Sequence, residues 1–291
     1  MKSITPSRLL LMKEKGERIA SLTAYDYTMA QMCEAAGIPL ILVGDTLGMV
    51  VRGEESTLAV TLDDVIYHSR MVKRGAPQAL VIADLPFMTY QVSHEDAMRN
   101  AGRLMQDTGI GGIKIEGGVE IAGTVKRLVQ IGIPVCGHLG YTPQSTHTLG
   151  GPRVQGRSFE AAVKLIEDAK ALEDAGAFAI VLELVPNEIA DAVTQQLRIP
   201  TIGIGAGPDC DGEVQVFHDL FGLFSDFQPR HSRRYLSVAS DVVSAAEQFK
   251  ADVASKIFPG KAQSATLDDP ELRSRLAEYL DQRKEPPVVA G

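Results

Sequence analysis

Short apolar runs recur along this chain and alternate with longer amphipathic stretches. Each run stays apolar on both faces, which is typical of strands in a parallel sheet that helices cover on both sides. Two of the amphipathic stretches have helical spacing, open on Ser93 or Ser158 and close on Gly109 or Gly176. The runs are IASLTAYD, LILVGD, LVIADLP, GIKIEG, IPVCGHLG, FAIVLEL, IPTIGIGAG and a less regular VQVFHDL. The pattern therefore predicts a β-strand and an α-helix repeated about eight times.

This number of repeats favours a (β/α)8 barrel over a doubly wound sheet. The chain has 291 residues, no GxGxxG turn follows the first run, and no linker divides the sequence at its midpoint. We therefore expect an α/β fold of the TIM-barrel type, with a catalytic barrel domain over residues 1–260. The composition then becomes charged, and residues 261–291 are predicted to be a C-terminal extension with one helix in PELRSRLAEYLDQRK.

Charge, cysteines and the N-terminal segment exclude several classes of protein. The net charge is −8 and no cluster of lysines or arginines occurs, so neither nucleic acid nor an acidic membrane is an expected partner. Cys33, Cys136 and Cys210 are widely separated and form no CxxC pair, which indicates reduced thiols and argues against zinc. The apolar run Leu9–Met12 is too short for a signal peptide or a membrane span. We predict a cytoplasmic protein.

Acidic and other polar residues recur where the predicted strands end. They are Asp26, Asp45, Asp84, Glu116, His138 and Glu183. In a (β/α)8 barrel these strand ends face one shared mouth, where active sites form. Carboxylates that converge there repel one another unless a cation neutralises them, and oxygen ligands without histidine or cysteine spacing favour Mg²⁺ or Mn²⁺. The alternative for a single acid, which applies most strongly to Asp26, is a cap on the following helix.

Three further side chains are candidates for chemistry. Lys114 lies two residues before Glu116, so both side chains face the mouth, and the lysine can hold an anionic substrate or form a structural ion pair. A Schiff-base lysine is the competing reading, but neighbouring carboxylates stabilise the charged ammonium. Glu183 ends a strongly apolar strand and is either a general base for a proton next to a carbonyl or a structural acid. His138 is either a proton shuttle or structural.

Three other features carry weaker signals. Cys136 shares the face of His138 and is interpreted as apolar filler rather than as a metal ligand. The glycines of GIGAG, residues 203–207, indicate at most a cofactor contact, because a lone glycine pattern is weak. The segment YTPQSTHTLGGPRVQGRS is unusually long and rich in glycine, proline and small polar residues, as is typical of a lid over an active site.

The motifs around these candidates resemble the ketopantoate hydroxymethyltransferase family. The similar stretches run in order over residues 3–260 and are TAYDYTMA, LVGDTLGMVVRG, ADLPFMTY, KIEGG, PVCGHLGYTPQS, VQGR and GIGAGPDCDGEVQVFHDLFG. The resemblance implies a barrel related to the phosphoenolpyruvate mutase and isocitrate lyase group. It also implies transfer of a hydroxymethyl group from 5,10-methylenetetrahydrofolate to α-ketoisovalerate (3-methyl-2-oxobutanoate). The product would be ketopantoate, in the first step of pantothenate biosynthesis, on the route to coenzyme A.

The resemblance also assigns roles to individual residues. It implies Mg²⁺ ligation by Asp45 and Asp84, with Glu116 completing or supporting the metal shell, and proton abstraction by Glu183. Substrate contacts are expected from Asp45, Thr46, Asp84, Lys114 and His138. Thr46 stands where the family usually has serine, which keeps the hydroxyl and adds a methyl group. Members of the family are commonly homo-oligomers, often decamers.

Two rival interpretations stay open. One is a carbon–carbon lyase or phosphonomutase of the same superfamily, which would bind a similar anion on Mg²⁺; many such lyases carry a KKCGH-like stretch, which is absent from this sequence. The other is a barrel that binds a ligand without turnover, against which the set Asp45, Asp84, Lys114, Glu116 and Glu183 argues.

Overall fold

Eight parallel strands close into a barrel in the order of the chain. The structure is a computed structural model, and it describes residues 3–224 and 227–283. The strands are β1 (Ile19–Thr23), β2 (Leu40–Val43), β3 (Leu80–Asp84), β4 (Gly112–Glu116), β5 (Val135–Gly140), β6 (Ala179–Glu183), β7 (Thr201–Ile204) and β8 (Gly212–Gln215). Strand β1 pairs with both β2 and β8, which closes the sheet. The predicted (β/α)8 barrel is confirmed.

Helices precede, separate and follow the strands. They are α1 (Pro6–Glu14), α2 (Tyr27–Ala35), α3 (Leu47–Val50), α4 (Leu62–Gly75), α5 (His94–Thr108), α6 (Ala122–Gln130), α7 (Thr146–Leu149), α8 (Phe159–Asp174), α9 (Asn187–Gln196) and α10 (Phe217–Phe221), followed by α11 (Val238–Ala254) and α12 (Pro270–Asp281). Short 3-10 turns occupy Thr57–Ala59, Val119–Ile121, Pro143–Ser145 and Lys261–Gln263. Within the described ranges, no helix has the length and apolar character that crossing a bilayer requires.

The predicted helix caps are present at the start of α5 and α8. Ser93 accepts a hydrogen bond from the Asp96 N–H, and Ser158 accepts one from the Ala161 N–H. Gly109 ends α5 with a φ of 71°, a left-handed conformation that glycine adopts without strain. The prediction for the last apolar run, VQVFHDL, is only partly confirmed. Strand β8 begins before this run, at Gly212, and the second half of the run forms α10 instead of a strand.

The buried apolar residues form two clusters, one inside the barrel and one between the strands and the surrounding helices. Inward-facing residues of the strands pack with one another and with α1, and they include Leu40, Leu80, Ile82, Cys136, Ala179, Val181, Ile202 and Val214. Residues at the alternate strand positions pack against the surrounding helices, among them Ile41, Val81, Ile113, Ile115 and Leu182. Because side chains alternate along a strand, every second residue of a strand faces the inside of the barrel. These inward-facing residues form a row that begins with apolar residues and ends at the carboxyl end of the strand.

The chain divides into two compact units between Ser237 and Val238. The second unit contains α11 and also α12, which is the helix that the sequence predicted; Asp269 caps α12 by accepting hydrogen bonds from the N–H groups of Glu271 and Leu272. Helix α11 has no buried side chain and belongs to the second unit, and the domain boundary expected at residue 260 stays a prediction. Lys284, the last residue of the predicted tail helix, lies outside the described residues.

Candidate active site

The carboxyl ends of the strands surround a cleft. Its lining residues are Thr23, Leu42, Asp45, Thr46, Asp84, Lys114, Glu116, His138, Pro143, Val181, Glu183, Ile204, Val214, Gln215 and Val216. The polar lining comes mainly from the segments that end β2 to β6, whereas Leu42, Val181, Ile204 and Val214 form an apolar wall. The structure thus brings together all seven residues that the sequence assigned to metal, substrate or proton transfer.

Asp45, Asp84 and Lys114 form a buried ionic group on one side of the cleft. Asp84 ends β3 on the inward face, and its Oδ2 accepts a hydrogen bond of 3.0 Å from the Asp45 N–H. The Lys114 Nζ lies 2.8 Å from Asp84 Oδ1, with both side chains almost fully buried. Burial lowers the pKa of Lys114, but Asp84, Glu116 and Asp45 raise it by more, so the net pKa lies above the ordinary value. A lysine held in its charged form is not a nucleophile, which argues against Schiff-base chemistry.

The charge on Asp45 is the least compensated in this group. Burial, followed by repulsion from Asp84 and Glu116, raises the pKa of Asp45 well above its usual range. Lys114 and a hydrogen bond from Gln144 oppose this rise without cancelling it. The ionised site therefore favours an additional positive charge beside Asp45.

His138 lies between two carboxylates. Its Nδ1 is 3.3 Å from Glu116 Oε1, and its Nε2 is 3.2 Å from Glu183 Oε2. Burial and Lys114 lower the pKa of His138, but the contacts with Glu116 and Glu183 more than offset them and leave it above the ordinary value. Burial alone would raise the pKa of Glu116, whereas the contact with His138, together with Lys114 and the Gln144 N–H, brings it below the ordinary value. His138 thus links the buried acid to Glu183, whose side chain is 17% exposed.

Gln144, at the start of the long loop after β5, ties that loop to the acids. Its Nε2 donates to Asp45 Oδ2 at 2.9 Å, and its backbone N–H donates to Glu116 Oε2 at 3.0 Å. The Tyr90 hydroxyl lies 3.0 Å from Gln144 Oε1 and accepts a hydrogen bond from the Glu116 N–H. Neither Gln144 nor Tyr90 was among the residues predicted from the sequence.

The acids of the cleft are the candidate ligands for Mg²⁺. Among residues 3–224 and 227–283, no three histidine, cysteine, aspartate or glutamate side chains are arranged to hold an ion together. Two carboxylates do fit, because Mg²⁺ commonly takes one or two of them and completes its shell with water and substrate oxygens. The Asp45 N–H donates to Asp84 Oδ2, which holds the two acids side by side, and Asp84 Oδ1 is paired with the Lys114 ammonium. Glu116 is directed instead toward His138 and the Gln144 N–H.

The arrangement suits a small anion with an alkyl group. A buried ammonium and a site for a cation attract carboxylate and carbonyl oxygens, while the apolar wall of Leu42, Val181, Ile204 and Val214 accepts a branched chain. Glu183 stands at the edge of the cleft, between the buried charges and solvent.

Comparison with known proteins decides the family. The sequence profile described as ketopantoate hydroxymethyltransferase matches residues 3–261. A 3-methyl-2-oxobutanoate hydroxymethyltransferase of Chloroflexus aurantiacus is 55% identical over 97% of this chain and 99% of its own length. The enzyme of the same name from Chloroflexus aggregans is 57% identical, over 91% of this chain and 94% of its own. This chain belongs to the ketopantoate hydroxymethyltransferase family. It is therefore an enzyme of the transferase class.

Solved structures of other enzymes share the fold of this family member. A 2,3-dimethylmalate lyase, described as a member of the phosphoenolpyruvate mutase and isocitrate lyase superfamily, has a TM-score of 0.55 at 19% identity, and 97% of each chain is covered. A phosphonopyruvate hydrolase has a TM-score of 0.60 at 12% identity, with 98% of this chain and 99% of the other covered. At such identities the likeness shows the barrel fold alone.

Other expectations for this hydroxymethyltransferase family member have mixed outcomes. Asp26 does not line the cleft: it caps α2 by accepting a hydrogen bond from the Met29 N–H, which is the capping alternative. Cys136 is fully buried among apolar side chains inside the barrel, as expected of filler. Of the GIGAG segment, only Ile204 reaches the cleft. The alignment with the C. aurantiacus relative also extends beyond residue 261, so the resemblance is longer than the motifs indicated.

Proposed function

We propose that this chain transfers a hydroxymethyl group from 5,10-methylenetetrahydrofolate to α-ketoisovalerate and so makes ketopantoate for pantothenate biosynthesis. The family assignment supports the reaction class. The observation that carries the mechanism is the position of Glu183, a carboxylate at the edge of a cleft whose interior holds buried, paired charges. A base there can reach a carbon atom of a substrate whose oxygens are bound deeper in the cleft.

The oxo acid binds through its oxygens at the charged side of the cleft. Asp45 and Asp84 would hold Mg²⁺, and Glu116 would act on it from outside the first ligand shell. Bound Mg²⁺ would act as a Lewis acid that polarises the oxo acid. The Lys114 ammonium neutralises the substrate carboxylate, and Thr46 offers a hydroxyl at the same side of the cleft. The isopropyl group then faces the apolar wall, where its burial contributes roughly 0.8 kcal/mol per methylene-sized group.

Glu183 removes the proton from C3, the carbon next to the keto group. His138 keeps one oxygen of Glu183 in place through the 3.2 Å contact, so the other oxygen is free to face the substrate. C3 attacks the methylene carbon of the folate, so that a carbon–carbon bond forms and one of the two carbon–nitrogen bonds of that methylene group breaks. Hydrolysis then breaks the second carbon–nitrogen bond, water supplies the hydroxyl oxygen, and the two folate nitrogens take up the protons from C3 and from water. His138 assists proton transfer in the later steps. We also expect a homo-oligomer such as a decamer, which light scattering would test.

The test separates proton removal from group transfer. Protein, Mg²⁺ and α-ketoisovalerate deuterated at C3 are incubated without folate, and loss of the deuteron is followed by NMR. The wild-type protein is expected to exchange it, and Glu183→Gln to slow the exchange by about 10²- to 10⁴-fold, the usual contribution of a general base. Glu188→Gln is the matched control, because Glu188 is an exposed acid in the first turn of the next helix.

Two outcomes would count against the proposal. Absence of exchange in the wild-type protein would contradict the mechanism, and unchanged exchange in Glu183→Gln would remove Glu183 from the role of base. Turnover with methylenetetrahydrofolate should then be compared with cleavage of 2,3-dimethylmalate and hydrolysis of phosphonopyruvate. Preference for either of these would favour the rival lyase or phosphonate chemistry.

A further inference from the structure

The loop after β5 is attached to the barrel through a polar side chain. We call residues 141–158, between β5 and α8, the β5 loop. Within residues 142–155, Gln144 alone is buried, and the neighbouring side chains are partly or fully exposed. Loops are usually held by apolar anchors, since a buried polar group must find hydrogen-bond partners. An amide in this position therefore calls for an explanation.

The Gln144 amide has partners for both of its ends. Its Nε2 donates to Asp45 Oδ2 at 2.9 Å and to the Leu85 carbonyl oxygen at 3.0 Å. Its Oε1 lies 3.0 Å from the Tyr90 hydroxyl and 3.2 Å from Gln91 Nε2, both of which can donate to it. Turning the amide over would place its oxygen against two acceptors, Asp45 Oδ2 and the Leu85 carbonyl, and its NH₂ group against the Gln91 NH₂ group. The surroundings thus select one orientation, in which the NH₂ group faces the acid.

The same residue also holds the second acid of the group. Its backbone N–H donates to Glu116 Oε2 at 3.0 Å, so Asp45 and Glu116 are both fixed by one residue of the loop. Without these two donors, repulsion would turn the carboxylates away from each other. Because the donors belong to the β5 loop, the position of the loop and the geometry of the acids cannot vary independently.

We propose that Gln144 is a positioning residue that couples the order of the β5 loop to cation binding at Asp45 and Asp84. This inference rests on the proposed function, which supplies the cation. Two linked equilibria follow: an ordered loop presents Asp45 in the geometry that binds the ion, and the bound ion in turn stabilises the ordered loop. Thermodynamic linkage requires the two effects to be equal in magnitude.

The test measures binding and loop order without relying on activity. Gln144→Met keeps the size of the side chain and removes both ends of the amide. Mg²⁺ affinity is measured by calorimetry, and hydrogen–deuterium exchange of residues 141–155 is measured with and without Mg²⁺. In the wild-type protein, Mg²⁺ is expected to slow amide exchange in the loop. In Gln144→Met we expect the Kd for Mg²⁺ to rise about 10- to 100-fold, the usual cost of losing an outer-shell partner, and the protection by Mg²⁺ to disappear.

A matched control comes from the other side of the same amide. Gln91→Met removes one donor to Gln144 Oε1 but leaves the bonds to Asp45 and Glu116 in place. It should shift the Kd by less than about threefold, because the Tyr90 hydroxyl still bonds to Oε1. Far-ultraviolet circular dichroism checks that both variants are folded.

The possible results distinguish this inference from the proposed function. A wild-type protein that exchanges the C3 deuteron, together with a Gln144→Met variant that binds Mg²⁺ as the wild type does, would overturn the coupling alone. Weakened binding with undiminished protection of the loop by saturating Mg²⁺ would also overturn it. A wild-type protein that neither binds Mg²⁺ nor exchanges the deuteron would overturn both proposals. A Gln144→Met variant that is unfolded would contradict the positioning role, because Gln144 would then be required for the fold itself.

Discussion

The two ends of the barrel interior are built from the same strands but differ in chemistry. On β3 the inward-facing row reads Leu80, Ile82 and then Asp84, and on β6 it reads Ala179, Val181 and then Glu183. The first two residues of each row belong to one apolar cluster, whereas the last residue of each row belongs to the ionic group of the cleft. Within a single strand, the first inward-facing residues therefore contribute to folding stability, and the last one lies in the candidate active site.

Burial has opposite effects on the free energy of folding in the two regions. Burying an apolar side chain stabilises the fold by roughly 1.5–3 kcal/mol, whereas burying a charge costs free energy unless a partner compensates it. Asp45 shows that cost, because burial and two neighbouring acids raise its pKa well above the ordinary range. Substitutions in the two regions should consequently affect different measurements.

Asp45→Asn should give the largest functional effect. Removing the charge takes away one of two proposed Mg²⁺ ligands, so we expect Mg²⁺ binding to become undetectable by calorimetry and deuteron exchange to fall by about 10³-fold or more. Without Mg²⁺ the variant should be at least as stable as the wild type, because a disfavoured buried charge is gone. Denaturant titration measures this change. Asp174→Asn, at the exposed end of α8, is the control and should leave binding and stability unchanged. Normal Mg²⁺ affinity in Asp45→Asn would contradict the ligand role.

Leu80→Ala should give the opposite pattern. Leu80 is 3% exposed inside the barrel, and deleting its side chain would leave a cavity that costs about 2–5 kcal/mol. For a unit of this size, each kcal/mol corresponds to roughly 2–4 °C in Tm. The folded variant should still exchange the deuteron within about threefold of the wild type. Ile131→Ala, at an exposed position, is expected to change Tm little. A large loss of deuteron exchange in Leu80→Ala with an unchanged Tm would contradict the proposed difference between the two ends of the barrel.

The parts of the site that the sequence predicted are those that follow local rules. Asp84, Glu116 and Glu183 end strands on the inward face, so an alternation of two residues places each of them at the mouth. Asp26 also follows a strand, but the chain turns directly into α2, where its carboxylate meets the free N–H groups of the first turn. Alternation cannot distinguish the two cases, because the choice depends on where the helix begins.

The residues that the sequence did not predict depend on contacts between distant segments. Gln144 reaches Asp45 across 99 positions of the chain, and it carries no charge that would mark it as a candidate. The Tyr90 hydroxyl contacts Gln144 from the loop after β3. Both lie within motifs of the family resemblance, which is the one signal that could have identified them. The apolar run at β8 was ambiguous for a related reason, since short apolar runs suit a strand or a buried helical turn equally.

Glu213 supplies the smallest predicted effect and extends the comparison to an acid outside the cleft. It lies on β8 and accepts a hydrogen bond from Gln215, but burial raises its pKa from 4.5 to about 7. The folded protein therefore holds this proton more tightly than the unfolded chain. Stability should fall as the pH rises from about 4.5 through about 7, since the carboxylate then becomes charged while partly buried.

Glu213→Gln should remove this part of the pH dependence. Because Glu213 remains partly exposed to solvent, the expected gain at pH 8 relative to pH 5 is only about 1 kcal/mol, or roughly 2–4 °C in Tm. Melting curves of the wild type, Glu213→Gln and the exposed control Glu167→Gln at the two pH values would measure it. If Glu213→Gln lost stability equally at both pH values, the hydrogen bond to Gln215 would outweigh the cost of the charge. Glu213 would then stabilise the fold through its hydrogen bond, whereas the acids of the mouth carry a cost to stability that we attribute to the cation and substrate proposed to bind there.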